Sequence, residues 1–384
     1  MRVSLPYDRS VTDTLDPFTP EHLADPYPLY ARLRDHSDDL VEIPERGVFV
    51  ASRHAVAREI LRDHNTYLSG LGVQWIPVAD AGFRATFIEN DPPAHTRVRR
   101  AVQRWCTPRA ISDLEAIVDA VVDELVDQFV TAGGGDVMTA LARPVPTRVM
   151  SEWLGLELPV SATTWADASF RLGAPNPPTS AVDQFDGFLN WATGDGFANV
   201  APGGFAAAIL AGGDGDGLAA DETFIALASI LIAGLDTTVQ LIGNGIAALA
   251  THRDQFASLL DDPSGHAPGT VEETLRYDSP VRFFLRRTVD GRTVAVLFGA
   301  ANRDAQVFDE PDRFVIDRDA SPHLAFGAGI HLCLGAPLAR IEGGSVFRAL
   351  AERVDSIEVL AGAARTDSAA IRGFATLPAR ITAR

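Results

Sequence analysis

The stretch His323 to Arg340, HLAFGAGIHLCLGAPLAR, constrains this chain more than any other, because it sets Cys333, one of two cysteines, in surroundings suited to metal ligation. Phe326, Gly327, Gly329, His331 and Gly335 flank it in the order F-G-x-G-x-H-x-C-x-G, and Ala336 to Leu350 then reads as a helix. The thiol therefore stands where a loop becomes a helix. At that junction the free N–H groups of Leu334 and Gly335 can point at the sulfur, and the helix dipole favours thiolate over thiol. Such a sulfur suits iron. Cys106, the other cysteine, lies in a charged helical segment and reads as an ordinary buried thiol.

Around this loop the residues suggest a flat, acidic-edged ligand. Gly327 and Gly329 permit a tight turn, Gly335 keeps bulk away from a macrocycle face, Phe326 can pack on that face, and His331 can reach an acidic group at its edge. Asp91 to Arg109 reads as a helix after Pro92-Pro93, with His95 and Arg99 four apart on one side. Arg97, Arg100 and Arg104 are expected to face outward as a basic patch.

Asp221 to His252 reads as one long core helix, apolar nearly all round and roughly 48 Å in length. Its middle, Ala233-Gly234-Leu235-Asp236-Thr237-Thr238, is odd for a core. A buried acid costs several kcal/mol unless partnered, and glycine weakens a helix by about 1 kcal/mol, so this stretch reads as a site. Thr237 is expected to open the backbone ladder through its hydroxyl, with Asp236 relaying protons. Glu273 and Arg276 form an i, i+3 pair.

Composition narrows the alternatives. The 384 residues contain no low-complexity linker and no internal repeat, so one domain over 1–384 is expected. Two cysteines offer no disulfide framework and suit a reducing cytoplasm. The first residues carry no hydrophobic segment, and the apolar run Phe224 to Leu235 is too short to span a bilayer, so no membrane association is expected. A net charge of -18 argues against nucleic acid. Asp214 and Asp216 in GGDGDG supply too few ligands for calcium. No G-x-G-x-x-G and no iron–sulfur cysteine set is present, so bound NAD or flavin is not expected and electrons must come from separate donors.

Taken together, the cysteine loop, A-G-x-D-T-T, E-x-x-R and the later Pro311-Asp312-Arg313-Phe314 resemble the cytochrome P450 superfamily from Pro26 to about Gly344. The resemblance implies a mainly α protein with smaller β-sheets (α+β), holding haem b between the long helix and the helix after the cysteine. It implies Cys333 as axial ligand, and His95, Arg99, Arg286 and His331 around the haem propionates. Ala233, Phe326, Gly327 and Gly335 would lie against the ring, with Asp236 and Thr237 handling protons as oxygen is cleaved. Glu273, Arg276 and Arg313 would form a structural lock. The activity implied is insertion of one oxygen atom into a C–H bond by a monomer served by ferredoxin and ferredoxin reductase. A haem-binding sensor without turnover is the alternative, and the acid–alcohol pair favours the enzyme. A zinc site of His323, His331 and Cys333 would leave the other motifs unexplained.

Within the superfamily, NVAPGGF at Asn199 to Phe205, AGLDTTV and Phe283-Phe284 resemble a bacterial branch that oxidises para-substituted benzoates, O-demethylation included. Ser229 matches that branch, but its basic positions read Ser69 and Ala228 here, and Arg282 is the expected substitute for the lost charge. Leu71 and Val73, in an apolar loop running to Ile76, are expected to line a small flat pocket with Leu172, Phe283, Phe284 and Ala233. Between Arg286 and Gly299 the chain runs roughly ten residues short of the family pattern, which puts the local sheet in doubt.

Overall fold

The computed structural model describes residues 14–75, 87–159, 161–173, 177–211 and 218–384. Ile76 and the GGDGDG loop lie outside them. The elements that position the site are strands β1 (Val41–Ile43), β2 (Val48–Ala51) and β3 (Tyr67–Leu68), then helices α1 (Ala94–Gln103), α2 (Glu115–Thr131), α3 (Pro144–Leu154), α4 (Ala162–Leu172), α5 (Ala220–Thr251) and α6 (Pro263–Tyr277). Strands β4 (Phe283–Thr288) and β5 (Thr293–Leu297) and helix α7 (Ala336–Arg353) follow. The architecture is mainly helical with several small sheets.

Helix α5 is the axle. Leu235, Val239 and Ile242 are buried in one core with Val149 and Met150 of α3, Val122 and Val126 of α2, and Val346 and Leu350 of α7. By length and composition α5 could cross a membrane, yet 67% of its apolar window is buried within the protein. The helix runs without interruption from Ala220 to Thr251. The expected opening at Thr237 is thus absent: its hydroxyl donates to the Ala233 carbonyl at 2.8 Å, a bond made alongside the helical ladder. Gly234 has a packing explanation, since a Cβ there would sit 3.0 Å from Met150.

The five-stranded sheet has the order β1-β2-β5-β4-β3, with β2 and β5 parallel and the other pairs antiparallel. Its presence answers the doubt raised by the short Arg286–Gly299 stretch. Strands β4 and β5 pair directly through a tight turn in which Gly291 adopts φ +89 and the Thr288 hydroxyl accepts the Arg292 N–H at 2.8 Å. Phe283, Leu285, Ala295 and Leu297 pack on one face with Phe18, Leu29 and Tyr30. The opposite face carries Val294 and Val296 against Ile60, Leu61 and Leu324.

Between β5 and the cysteine loop the chain makes a long meander fastened to α6. Arg276, fully buried, makes two bonds to Glu273 at 2.7 and 2.8 Å and donates to the carbonyls of Asn302, Pro311 and Arg313. The third member of the expected lock requires correction. Arg313 contributes only its carbonyl; its side chain is 61% exposed and pairs with Glu310. Arg318 instead brings its guanidinium to Glu273 at 3.4 Å, 12% exposed, and also donates to the carbonyls of Asp309 and Glu310. Five residues further along, the chain has turned back toward α6. Because an exposed pair contributes little and a buried carboxylate needs its donors, Arg318→Ala should remove about 1–3 kcal/mol of stability and Arg313→Ala under about 0.5. Denaturant unfolding of the two variants checks this, and an equal loss would restore Arg313 to the lock.

Candidate active site

The cysteine loop is built as its glycines require. Gly327 and Gly329 both take φ +72, and a Cβ on Gly329 would meet the Leu61 carbonyl at 2.5 Å. The Cys333 N–H donates to the Phe326 carbonyl at 2.9 Å, which closes the loop on itself. Cys333 is accessible, whereas Cys106 is buried and burial pushes its thiol up to about 12. The N–H groups aimed at the Cys333 sulfur come from Gly335 and Ala336, one residue later than expected for the first of them. Although the Cys333 sulfur borders the open recess, the protein crowded around it displaces water and raises its pKa, and those two N–H groups with Arg99 and Arg340 oppose the rise. The space above Gly335 is clear: a Cβ there would have only the Cys333 sulfur, at 4.0 Å, for company.

On one side of the loop lies a concentration of basic groups short of a counter-ion. His95 on α1 is 2% exposed, neither of its ring nitrogens makes a hydrogen bond, and its ring lies 4.4 Å from that of His331. The Nε2 of His331 is likewise unpartnered, and burial, followed by the charges of Arg286, His95, Arg99 and His64, drives its pKa down to about 3. Arg286 on β4 is 3% exposed and donates to the carbonyl of its neighbour Leu285. Arg99 donates to the Leu332 carbonyl at 2.6 Å. Asp91, the carboxylate that reaches this group, already accepts the N–H groups of Ser69 and Gly70. A ligand bearing two carboxylates would satisfy the orphaned nitrogens and offset the charge.

Helix α5 reaches the surface at one turn. From Glu222 to Ala250, a stretch described in full, only Ala233 is exposed, and Thr237 one turn later is half-exposed. Asp236 lies about 100° round the helix from Thr237. It is 4% exposed, its Oδ1 accepts from Gln240 at 3.1 Å and its Oδ2 has no partner. Burial, then the charge of Asp167, lift its pKa to about 7 against the pull of Gln240, Arg143 and Arg171. The acid therefore titrates close to neutrality.

The expected substrate residues do not all come together. Phe283 and Phe284 are adjacent on a strand, so they point to opposite faces. Phe283 packs at 5.0 Å on Phe18 and near Trp75, inside a core, while Phe284 is half-buried on the face that Arg286 shares. Val73 is buried and its carbonyl accepts from Leu285, while Leu71 is 57% exposed. Leu172 and Ser229 are half-buried, the Ser229 hydroxyl donating to Ile225. Arg282 is corrected. Its Nε and Nη2 donate to the carbonyls of Ile371 and Leu23, which fixes the side chain between two distant segments, while its buried Nη1 has no hydrogen-bond partner.

Sequence reasoning missed His64, which stands in the turn before β3 and carries no motif. It also passed over Arg340 and Glu272, whose signals were only their adjacency to the cysteine loop and to E-x-x-R. Of the expected outward patch, Arg97 is engaged by Glu222, while Arg100 and Arg104 join Arg99, Arg340, Leu332 and Cys333 around an open recess of about 720 Å³. His323 turns to Glu272 and accepts the Ala325 N–H, which leaves neither ring nitrogen for a zinc site.

Comparison with known proteins agrees with this arrangement. The family model for cytochrome P450 matches residues 267–353. Cytochrome p450 CYP199A2 of Rhodopseudomonas palustris is 33% identical over 96% of this chain and 94% of its own length. The beta-dihydromenaquinone-9 omega-hydroxylase of Mycobacterium tuberculosis is also 33% identical, over 96% of this chain and 78% of its own. The solved structure of CYP109Q5 from Chondromyces apiculatus superposes with a TM-score of 0.80 at 30% identity, covering 96% of this chain and 98% of that one. Equal identity to differently named relatives singles out no substrate. With an accessible cysteine on a glycine-shaped loop, a basic cluster suited to two propionates and relatives of this kind over almost its whole length, the chain belongs to the cytochrome P450 family and is a haem-thiolate monooxygenase.

Proposed function

We propose that this protein binds haem b through Cys333 and oxidises a small, uncharged aromatic substrate by C–H hydroxylation or O-demethylation. The observation that carries the haem assignment is the basic cluster itself: the Arg99 and Arg286 guanidiniums gather beside an accessible thiol with His64, His95 and His331, whose ring nitrogens include buried donors and acceptors without partners. Haem, once bound, would supply oxygen activation. The chain supplies the rest. Cys333 would be the iron ligand, its negative charge held by the Gly335 and Ala336 N–H groups, and the cluster would fix the propionates. The Thr237 hydroxyl, half-exposed beside Ala233, would orient a proton donor, and Asp236 would hold the proton that replaces it. This acid–alcohol pair favours turnover over a sensor role. The recess bordered by Arg100, Arg104 and Arg340 offers positive charge beside Cys333 on an otherwise acidic protein, which suits an acidic ferredoxin with its reductase as electron source.

Substrate charge follows from what the site lacks. Ser69 is 1% exposed and Ala228 is apolar where the resembled branch is basic, and Arg282 has its Nε and Nη2 tied to the carbonyls of Ile371 and Leu23. A buried carboxylate without a charged partner binds poorly.

Spectra, coupling and ligand binding test these assignments. Cys333→Ala should lose the thiolate-type absorption of the reduced carbonyl complex and Cys106→Ala should keep it; the reverse pattern would move the ligand to Cys106. Thr237→Ala should consume electrons with less product while binding substrate normally. In the parent protein, product per electron pair should fall as pH rises through about 7, because the raised Asp236 pKa means the proton is held below that value and released above it. Asp236→Asn should flatten that dependence, and equal coupling in parent and both variants would remove the pair from the mechanism. Finally, a neutral methoxy-aromatic should shift the haem spin state at least as well as its 4-carboxylate relative, whereas tight binding of the carboxylate alone would refute an uncharged substrate.

A further inference from the structure

Below the cysteine loop a bidentate ion pair connects α6 to α7. Glu272, the residue before the buried Glu273, takes Nε of Arg340 at 2.6 Å and Nη2 at 3.0 Å, and the same carboxylate meets Nε2 of His323 at 3.2 Å. The other ring nitrogen of His323 accepts the Ala325 N–H at 3.1 Å, so the carboxylate is linked through one imidazole to the start of the loop. Held in this way, the Arg340 guanidinium lies 4.6 Å from the centre of the Phe326 ring. Phe326 is the residue whose carbonyl accepts the Cys333 N–H. Arg340 also borders the open recess with Cys333 and is among the groups that act on the sulfur's charge.

As a surface salt bridge this pair would mean little, since Arg340 is 45% exposed. Its geometry gives it another use. A guanidinium on a long flexible stem at the edge of an open recess would sample water unless something fixed it, and the Glu272 fork fixes both its position and its plane. Burial alone would raise the Glu272 carboxyl, but the hydrogen bonds from His323 and Arg340 hold it down at about 2, so the anchor stays charged across the physiological range.

We propose that Glu272 is a positioning residue that holds Arg340 against the Phe326–Cys333 loop, and that the fixed positive charge of Arg340 sets the reduction potential of the thiolate-bound centre. The inference rests on the reading of Cys333 as the haem ligand. A cation near the sulfur withdraws its negative charge and favours the reduced, less positive iron. Loss of the cation therefore makes the midpoint more negative.

The sign of the effect at Glu272 separates positioning from simple charge. Removal of a negative charge acting by itself would make the midpoint more positive. If Glu272 acts by holding Arg340, Glu272→Gln frees the guanidinium into the recess and makes the midpoint more negative, the same direction as Arg340→Gln. Potentiometric titration of the haem-loaded protein should show both single variants shifted this way, each by roughly three- to tenfold in the one-electron equilibrium constant, as one partly screened charge would give. The double variant should shift no further than Arg340→Gln. Arg340→Lys keeps the charge without the fork and should fall between parent and Arg340→Gln, while thermal unfolding shows that the variants compared are folded. A positive shift in Glu272→Gln, an unchanged midpoint in either single variant, or additive shifts in the double variant would overturn the proposal. Absence of thiolate-type absorption in the parent carbonyl complex would instead overturn the ligand assignment, before any variant is compared.

Discussion

The arrangement of this molecule depends on one buried ion pair. Arg276 has no exposed surface, yet a guanidinium removed from water must fill its donor sites, and Glu273 can take only two of them. The others go to the carbonyls of Asn302, Pro311 and Arg313, which are the points at which an irregular meander passes α6. Breaking such a pair typically removes about 3–5 kcal/mol, because one charge is left buried alone. The meander then hands the chain to the cysteine loop, where the Asn302 side chain accepts the Leu324 N–H at 2.6 Å. A pair three residues apart on one helix thus fixes where a thiol far along the sequence will stand.

The site is organised around two guanidinium charges and buried imidazole nitrogens that the protein does not satisfy internally. His95, His331 and His64 are brought beside Arg99 and Arg286 from separate elements, and the acid near them is already engaged. A dianion would complete such an assembly and stabilise the folded state that binds it. Helix α5 presents a different economy of protons: a carboxyl that burial makes titrate close to neutrality, and a threonine hydroxyl bound to its own helix. The helix remains regular there, so what distinguishes this turn is the exposure of Ala233 and the side chains beside it, not a broken backbone.

Two residues show how neighbouring positions divide labour. Glu273 faces inward and locks the meander, while Glu272 faces the loop and grips Arg340 and His323. Phe283 and Phe284 are split in the same manner by the strand they occupy, one into a core and one toward the face of Arg286. Adjacent residues on regular elements serve different surfaces, which is why similar chemistry in sequence need not share a pocket.

The sequence by itself determined what depends on local pattern. Cys333 with its glycines, the thirty-two-residue apolar helix with Asp236 and Thr237 at its middle, and the Glu273–Arg276 spacing were legible because left-handed turns, helical periodicity and i, i+3 contacts act over a few residues. Tertiary structure alone decided which long side chain reaches which partner. Arg318 rather than Arg313 meets Glu273, Arg282 ties Leu23 to Ile371, and His64 joins His95 and His331. An arginine can extend several ångströms in any of many rotamers, and its preference is set by where burial leaves a carbonyl or carboxylate unsatisfied. That quantity exists only once the chain has folded.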